Sequence, residues 1–287
     1  LGCYGSAVNK TPHIDSLAEE GILFTDFYSA SPVCSPSRGA LMTGCYPKRI
    51  GFEDFDGGVV LFPGHGIGLN PTEFTIPKML RQIGYTSMII GKWHCGDQEE
   101  FLPLQYGFDR YYGLPYSNDM GRQKRTFGTQ EELDKRYPPL PLLYNDKVIQ
   151  EQPDQAALIE RYVEHAVMFI RENKENPFFL YFAPLQVHLP LYAPKRFLDE
   201  SVNGDYGACV AAVDWALGAL VHELKAHGLY ENTLLVFTSD NGARGDYGGS
   251  NGPLRGRKGN TYEGGMRVPC IMTWKNKIKG GRKCSRI

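Results

Sequence analysis

The sequence predicts an α/β protein, and three observations support this. Its 287 residues are enough for one large domain with a full core, or for one domain and part of another. Amphipathic stretches typical of helices alternate with short apolar runs typical of buried strands. Polar residues capable of chemistry follow several of these runs, where the carboxyl ends of strands gather the sites of α/β proteins.

Composition excludes some partners. The net charge is −1, so no general field attracts nucleic acid or an acidic membrane surface. No apolar run approaches the ~20 residues that span a bilayer, and we therefore expect no nucleic-acid partner and no membrane span. The chain opens at Leu1 without a signal pattern, and we expect its true amino terminus to be missing. Its seven cysteines show no zinc-like spacing and permit disulfides without requiring them.

The first predicted helix starts at Pro12 after a capping Thr11 and ends at Gly21. The following run, 21–30, reads as a strand. This strand delivers the chain to the next segment, 31–44, whose sequence is SPVCSPSRGALMTG.

The segment 31–44 predicts a helix with a reactive amino terminus. Pro36 suits the first turn, and good helix formers follow it. Cys34 then lies at or just before the helix start, where unpaired N–H groups favour an anion. Arg38, one turn along, adds a bidentate donor for oxyanions. The pattern indicates a nucleophile aimed at a sulfate or phosphate group; the alternative is a buried or disulfide-bonded cysteine beside a helix cap.

Two further candidate residues, Lys92 and His94, lie at the end of a predicted buried strand. Residues 51–74 read as a long loop, and Thr75 caps a helix that Gly84 stops. The run YTSMII then predicts a strand that ends in GKWH. If the chain stays extended there, Lys92 and His94 point the same way. The alternative is a solvated lysine and a packed histidine.

The middle of the chain is less regular. Residues 101–121 read as an ordered loop with turns, and the aromatic loops near Tyr106, Tyr111 and Tyr116 would suit a sugar ring or an aryl group. Residues 121–152 are polar and irregular, and we interpret them as a surface insertion near the site.

The last third predicts two long helices and three strands. Residues 154–173 form the clearest amphipathic helix, within which His165 is structural. The strand FFLYFAP follows, and His188 just beyond it is a candidate general acid, or a histidine hydrogen-bonded in a turn. Residues 206–228 form the second helix. The final strand is VPCIMTW.

The strand in NTLLVFTSDNG ends in Asp240 and Asn241. Two hard oxygen ligands at the carboxyl edge of a sheet suit Ca²⁺ or Mg²⁺. The alternative is a plain Asp-Asn-Gly turn.

Several of these segments resemble the type I sulfatases. CSPSR followed by GALMTG matches the family signature C-x-P-S-R-x-x-x-L/M-T-G, and the run 84–94 resembles the second signature. LGCYG, the H-x-P element at His188, the DNG turn and GRKGNTYEGGMRVP follow the family's order. The resemblance implies an alkaline-phosphatase-like α/β fold with a large mixed sheet sandwiched between helices. It also implies that 1–287 is a fragment of the catalytic domain, with the first strand and an aspartate pair upstream of Leu1 and a small carboxyl-terminal domain missing.

The resemblance implies a role for each candidate residue. Cys34 becomes formylglycine through a maturation enzyme, and its hydrate is the nucleophile. The implied catalytic residues are Cys34, Arg38, His94 and His188. The implied substrate-binding residues are Lys92, Lys258 and Ser117, the last from the PYS element of the arylsulfatase A and N-acetylgalactosamine-6-sulfatase branch. The implied ligands of Ca²⁺, with Mg²⁺ as the alternative, are Asp240 and Asn241, and we expect weak metal binding without the upstream pair.

The expected function is hydrolysis of a sulfate monoester, either a sulfated glycan or an aryl sulfate. Two alternatives use similar residues: a phosphonate monoester or phosphodiester hydrolase of the same superfamily, and a catalytically inactive sugar-binding relative. A transferase is a further alternative. The family's members imply a periplasmic, secreted or lysosomal location.

Overall fold

The computed structural model describes residues 1–123 and 129–286, and they form two compact units. One unit comprises residues 1–37 and the described residues from Ala193 onward. The other comprises Arg38–Tyr192. The two are described separately below.

The elements follow in chain order. The strands are β1 (Ile22–Tyr28), β2 (Thr86–Lys92), β3 (Arg110–Leu114), β4 (Pro141–Tyr144), β5 (Lys147–Glu151), β6 (Phe178–Ala183), β7 (Leu235–Thr238), β8 (Arg267–Thr273) and β9 (Arg282–Cys284). The α-helices are α1 (Pro12–Glu20), α2 (Cys34–Thr43), α3 (Ile76–Arg81), α4 (Gln130–Arg136), α5 (Leu158–Glu172), α6 (Lys195–Glu200), α7 (Gly204–Ala226) and α8 (Glu263–Met266). Short 3₁₀ turns lie at Gly2–Tyr4, Pro47–Ile50, Glu99–Phe101, Pro103–Tyr106 and Tyr230–Asn232.

The first unit is built on a mixed sheet with the strand order β7-β8-β1-β9. β8 runs antiparallel to both β7 and β1, and β9 runs parallel to β1. The helix α1 packs its apolar side chains, Ile14, Leu17 and Ala18, with Leu23 and Ile271 of the sheet. The predicted apolar face of this helix is therefore its buried face, as helical spacing requires.

The second unit is built on a mixed sheet with the order β5-β4-β3-β2-β6. β2 runs parallel to both β3 and β6, so it is central and buried along most of its length. A Cβ at Gly91 would collide with the carbonyl oxygen of Ala183, and Gly91 has φ 103°, so only glycine fits immediately before Lys92. Both units combine mixed sheets with helices, as an α/β fold requires.

The three tyrosines that mark the aromatic loops expected to suit a ring of the substrate are buried. Tyr106 and Tyr111 are fully buried, and Tyr116 is 4% exposed. Tyr106 and Tyr111 pack around Trp93 in the apolar core of the second unit. These three side chains therefore offer no exposed face to a ring, because aromatic side chains that bury large apolar areas fill cores as readily as they line sites.

The polar stretch 121–152 is also more regular than expected. Its described residues include α4 and the antiparallel hairpin of β4 and β5, while 124–128 lie outside the described residues. Leu142 and Leu143 are buried in β4, so this segment extends the sheet. The sequence also gave no sign of β9, which follows the strand expected to be the last. Strands of three to five residues are too short for periodicity to reveal.

The helix α7 qualifies the expectation of no membrane span. It has 23 residues and is apolar enough to cross a membrane by length and composition, the one such helix within the described ranges. However, 56% of its most apolar stretch is buried inside the structure, as in the core helix of a soluble protein. By itself it is therefore weak evidence for a span.

The sequence permits disulfides between its cysteines without requiring them. Cys3, Cys45, Cys95, Cys270 and Cys284 are free thiols. Burial raises the pKa of the Cys95 and Cys270 thiols to about 12. Thiols that stay protonated at neutral pH are poor nucleophiles, so these two are structural.

Asp214 of α7 holds the amino terminus of α1. Its carboxylate accepts the N–H of Ile14 at 2.8 Å and the N–H of His13 at 3.3 Å. Replacing Asp214 by alanine leaves these two helix-start donors without their acceptor, and we expect the free energy of unfolding to fall by about 3 kcal/mol. Urea denaturation checks this, with the exposed Asp205→Ala on the same helix as the control. Equal losses in the two variants would contradict the assignment.

Candidate active site

Cys34 is the first residue of α2 and is buried. Pro36 lies in the first turn, where its missing N–H is not needed. The N–H of Ser37 returns to the carbonyl of Val33 at 3.3 Å and fixes this turn. The predicted position of Cys34 at a helix start is confirmed. The positive end of the helix dipole there favours negative charge on a nucleophile or on a bound oxyanion.

Lys258 reaches Cys34 from far along the chain. Its Nζ lies 3.2 Å from Cys34 Sγ. The backbone holds this lysine from both sides: its own N–H donates to Ala243 O at 3.0 Å, and the N–H of Gly259 donates to Pro32 O at 3.0 Å. The lysine is therefore a fixed cation beside the candidate nucleophile, unlike the exposed lysine of a basic turn.

Asp240 and Asn241 follow β7 in the same unit. The hydroxyl of Ser37 donates to the backbone carbonyl of Asp240, which joins the first turn of α2 to this pair. Asn241 donates its amide N–H to Gly242 O at 2.9 Å. Gly242 is packed so closely that an added Cβ would collide with the carbonyl oxygen of Gly264. These contacts fix the turn that presents both side chains.

The pair fits a hard divalent cation. Asn241 Oδ1 is buried and has no hydrogen-bond partner among residues 1–123 and 129–286. An orphaned buried oxygen is costly, and a cation would satisfy it. A carboxylate and an amide oxygen suit Ca²⁺ or Mg²⁺. Over the same ranges there is no group of three or more His, Cys, Asp or Glu side chains that could hold a metal.

In the second unit, hydrogen bonds link Arg38 to the backbone of Lys92 and the side chain of Lys92 to the hydroxyl group of Ser117. Arg38 Nη1 donates to the carbonyl of Lys92 at 2.7 Å, and Lys92 Nζ donates to Ser117 Oγ at 3.2 Å. All three residues are buried. Lys92 ends the central strand β2, so the sheet fixes its position. Buried cationic side chains are typical of sites that recognise oxyanions.

His188 extends this cluster. Its Nδ1 lies 3.4 Å from Ser117 Oγ and 2.6 Å from the carbonyl of Leu189. Because a carbonyl only accepts, Nδ1 carries the proton, and Nε2 is the nitrogen that can exchange one with a ligand. The side chain is 25% exposed, which gives a ligand access.

Sequence reasoning missed two neighbours of Ser117. Asp119 Oδ1 lies 4.0 Å from His188 Nδ1. Asn118 is fully buried and donates to Gln155 Oε1 at 2.9 Å and to Pro190 O at 3.3 Å, which holds the loop. The only available signal was the sequence SND itself, which also reads as a turn.

His94 does not follow Lys92 in an extended chain. It has φ 63°, so the condition for the two side chains to point the same way fails. His94 is buried, and its Nε2 lies 2.9 Å from the carbonyl of Leu61. That carbonyl fixes the N–H on Nε2 and leaves the lone pair of the neutral ring on Nδ1. Nδ1 is thus the nitrogen that can accept a proton.

The predicted site residues divide between the two compact units. Cys34, Lys258, Asp240 and Asn241 belong to the first unit, while Arg38, Lys92, Ser117, His188 and His94 belong to the second. In each unit hydrogen bonds join several of them directly. The helix α2 carries both Cys34 and Arg38, four residues apart and so on one face.

The chain is similar to known proteins over nearly its whole length. The sulfatase family profile matches residues 1–286. The chain is 39% identical to N-acetylgalactosamine-6-sulfatase of Rattus norvegicus, over 98% of this chain and 55% of that protein. It is 38% identical to arylsulfatase A of Homo sapiens, over 98% of this chain and 57% of that protein.

A solved structure shows the same fold. The crystal structure of Ps i-CgsB in complex with k-i-k-neocarrahexaose has a TM-score of 0.86 and 35% identity, over 99% of this chain and 65% of that chain. The predicted alkaline-phosphatase-like fold class is confirmed. The chain spans about half the length of the curated relatives that it matches. With the family profile matched from residue 1 to residue 286, the chain belongs to the sulfatase family.

Proposed function

We propose that the protein hydrolyses sulfate monoesters with residue 34 as its nucleophile, after a maturation enzyme has converted Cys34 to formylglycine. The observation that carries the proposal is the contact of 3.2 Å between Lys258 Nζ and Cys34 Sγ at the first residue of α2. At this contact residue 34 lies at the positive end of a helix and beside a fixed cation, and both favour a reactive nucleophile.

The cationic residues bind and orient the sulfate ester. Arg38 and Lys92 hold its oxygens by charge-assisted hydrogen bonds, and Ser117 adds a neutral partner. Lys258 stabilises the charge that develops on the leaving oxygen. One hydroxyl oxygen of the formylglycine hydrate attacks sulfur as the bond from sulfur to the alcohol oxygen breaks. The second hydroxyl group then loses its proton, so that the aldehyde re-forms as the bond from its carbon to the sulfate oxygen breaks. These roles follow the signature residues of the family.

Two histidines move the protons. His188, with Nδ1 held by the carbonyl of Leu189, gives a proton from Nε2 to the departing alcohol. His94, with Nε2 held by the carbonyl of Leu61, accepts a proton at Nδ1 when sulfate is released. A plain serine or cysteine would require water to attack sulfur again, so the second hydroxyl group explains the need for the modification.

Asp240 and Asn241 would hold a divalent cation, Ca²⁺ or Mg²⁺. The buried oxygen of Asn241 supports this assignment. When bound, the cation supplies positive charge to the sulfate oxygens.

The proposed substrates are sulfated glycans or aryl sulfates, as the names of the similar proteins suggest. The oligosaccharide named with the similar structure supports the glycan class. We propose a periplasmic, secreted or lysosomal location by analogy with the family.

Turnover of matched esters tests the function. The full-length protein from a host with the maturation enzyme should hydrolyse 4-nitrophenyl sulfate at least about 100-fold faster than 4-nitrophenyl phosphate. A preference of about 100-fold requires a difference of only ~3 kcal/mol in the activation free energies of the two reactions. A chelator should abolish the sulfatase activity, and Ca²⁺ should restore it. Preferred cleavage of a phosphonate or phosphate ester would support the alternative hydrolase. Binding of a sulfated sugar without turnover would support the inactive relative.

A further inference from the structure

A strongly cationic loop lies next to the candidate nucleophile in the first unit. The arginine loop, residues 243–262, connects Gly242 to α8. It carries Arg244, Arg255, Arg257 and Lys258 against one carboxylate, Asp246, whereas the whole chain has a net charge of −1. Such a local excess of positive charge attracts anions. The proposed chemistry uses only Lys258.

The arginine loop is braced by hydrogen bonds. Asn251 accepts from Ala243 N and donates to Ala243 O, both at 2.7 Å, and also donates to Gly256 O at 3.3 Å. Gly256 has φ 90°, which favours glycine at this bend. Gly259 ties the loop to Pro32, two residues before Cys34. The loop is therefore a fixed surface that leads to Cys34.

Two arginines of the loop lie against exposed tyrosines. The guanidinium carbon of Arg255 lies 4.1 Å from the ring centre of Tyr262, and Arg255 Nη2 donates to the Tyr262 hydroxyl at 3.1 Å. Arg244 lies 5.8 Å from the ring centre of Tyr247 in the same way. Tyr247 is 53% exposed and Tyr262 is 49% exposed. Each guanidinium lies within the cation–π distance of its ring, and exposed tyrosines suit the apolar faces of sugars.

The charges of the loop are only partly neutralised. Asp246 pairs with Arg244 at 3.0 Å, and Arg257 approaches it only to 4.0 Å. Arg255 makes no ion pair with any residue of the described ranges; its polar partner is Tyr262. Arg255 and Arg257 thus retain donors for an external carboxylate or sulfate, which arginine binds bidentately.

We propose that the arginine loop is a subsite for a second anionic group of a glycan whose reacting sulfate lies at Cys34. The inference rests on the proposed function and narrows its substrate to oligosaccharides that carry more than one sulfate or carboxylate. Arg257 directly precedes Lys258, and Arg255 is three residues away, a backbone span of at most ~11 Å. That span corresponds to one or two sugar rings. An aryl monosulfate has no second charge to place there.

Removal of the two charges tests the subsite. The variant Arg255→Gln/Arg257→Gln is compared with wild type on a disaccharide disulfate, the matching disaccharide monosulfate and 4-nitrophenyl sulfate. We expect wild type to have a KM about tenfold lower for the disulfate than for the monosulfate, since a charged hydrogen bond is worth about one factor of ten or more. In the variant the ratio of the KM for the monosulfate to the KM for the disulfate should fall to about one. Its kcat should be unchanged, and its KM for 4-nitrophenyl sulfate should change less than about twofold. High salt should shrink the wild-type ratio.

The control is Arg282→Gln/Lys283→Gln, which removes two exposed charges from β9 of the same unit. It should keep the wild-type ratio. An unchanged ratio in Arg255→Gln/Arg257→Gln, or no preference for the disulfate in wild type, would overturn the subsite while the sulfatase activity stands.

A binding measurement keeps the two proposals separate. Calorimetry with the disaccharide disulfate uses Cys34→Ala, with and without Arg255→Gln/Arg257→Gln, so that no turnover is needed. We expect the dissociation constant to rise about tenfold when the arginines are removed. Equal dissociation constants would refute the subsite. If the wild-type protein shows no turnover but the dissociation constant still rises about tenfold when the arginines are removed, the proposed function is refuted and the anion subsite is supported.

Discussion

Replacing Cys34 by alanine is expected to lower kcat for 4-nitrophenyl sulfate by at least about 1,000-fold, the scale on which loss of a nucleophile acts. The thiol lies at the start of α2 beside the ammonium group of Lys258, and no other residue of the account supplies the hydroxyl group that attacks sulfur. Initial rates at saturating substrate check this. A variant that keeps a tenth of the wild-type kcat would contradict the assignment.

The matched control for this variant is Cys270→Ala. Cys270 is a buried thiol of β8 in the same unit, and burial raises its pKa to about 12. We expect this variant to lose some stability, because a buried side chain is shortened, and to keep kcat. Urea denaturation of both variants separates loss of folding from loss of the nucleophile. Equal losses of kcat in the two would indicate a structural role for Cys34.

Replacing His188 by glutamine is expected to slow hydrolysis in a way that depends on the leaving group. For sulfates of simple sugar alcohols, kcat should fall about 100- to 10,000-fold, the usual contribution of a general acid. For 4-nitrophenyl sulfate the fall should be much smaller, because nitrophenolate leaves without a proton. The measurement is the slope of log kcat against leaving-group pKa, which should steepen in the variant.

His165→Gln is the control for His188. The ring of His165 stacks on Tyr112 with its centre 3.6 Å away, so this histidine is structural, as its place on the amphipathic helix predicts. The variant should lose stability and keep the wild-type slope. A wild-type slope in His188→Gln would show that another group protonates the leaving alcohol.

The sequence predicted the elements with strong periodicity. Thr75 does cap α3, accepting from the N–H of Lys78, and α5 buries most of its predicted face. Pro36 and the helix formers after it identified the helix that starts at Cys34. These features depend on local sequence, so composition and spacing are enough to predict them. The resemblance supplied the roles of the residues, which spacing alone does not carry.

The remaining features depend on contacts between distant parts of the chain. Lys258 lies 224 positions from Cys34, and only the anchored arginine loop brings them together. Tyr106 and Tyr111 form core because β3 and its neighbours pack around Trp93, which an aromatic-rich run cannot show. The orphaned oxygen of Asn241 likewise follows from the turn that buries it.

The central claim is that residue 34 acts as formylglycine. The most direct measurement is the mass of the tryptic peptide 11–38 from the full-length protein, purified from its native host. We expect a mass lower by the difference between a thiol and an aldehyde at Cys34. An unmodified cysteine, in a host whose maturation enzyme is active, would contradict the mechanism and favour the sugar-binding relative.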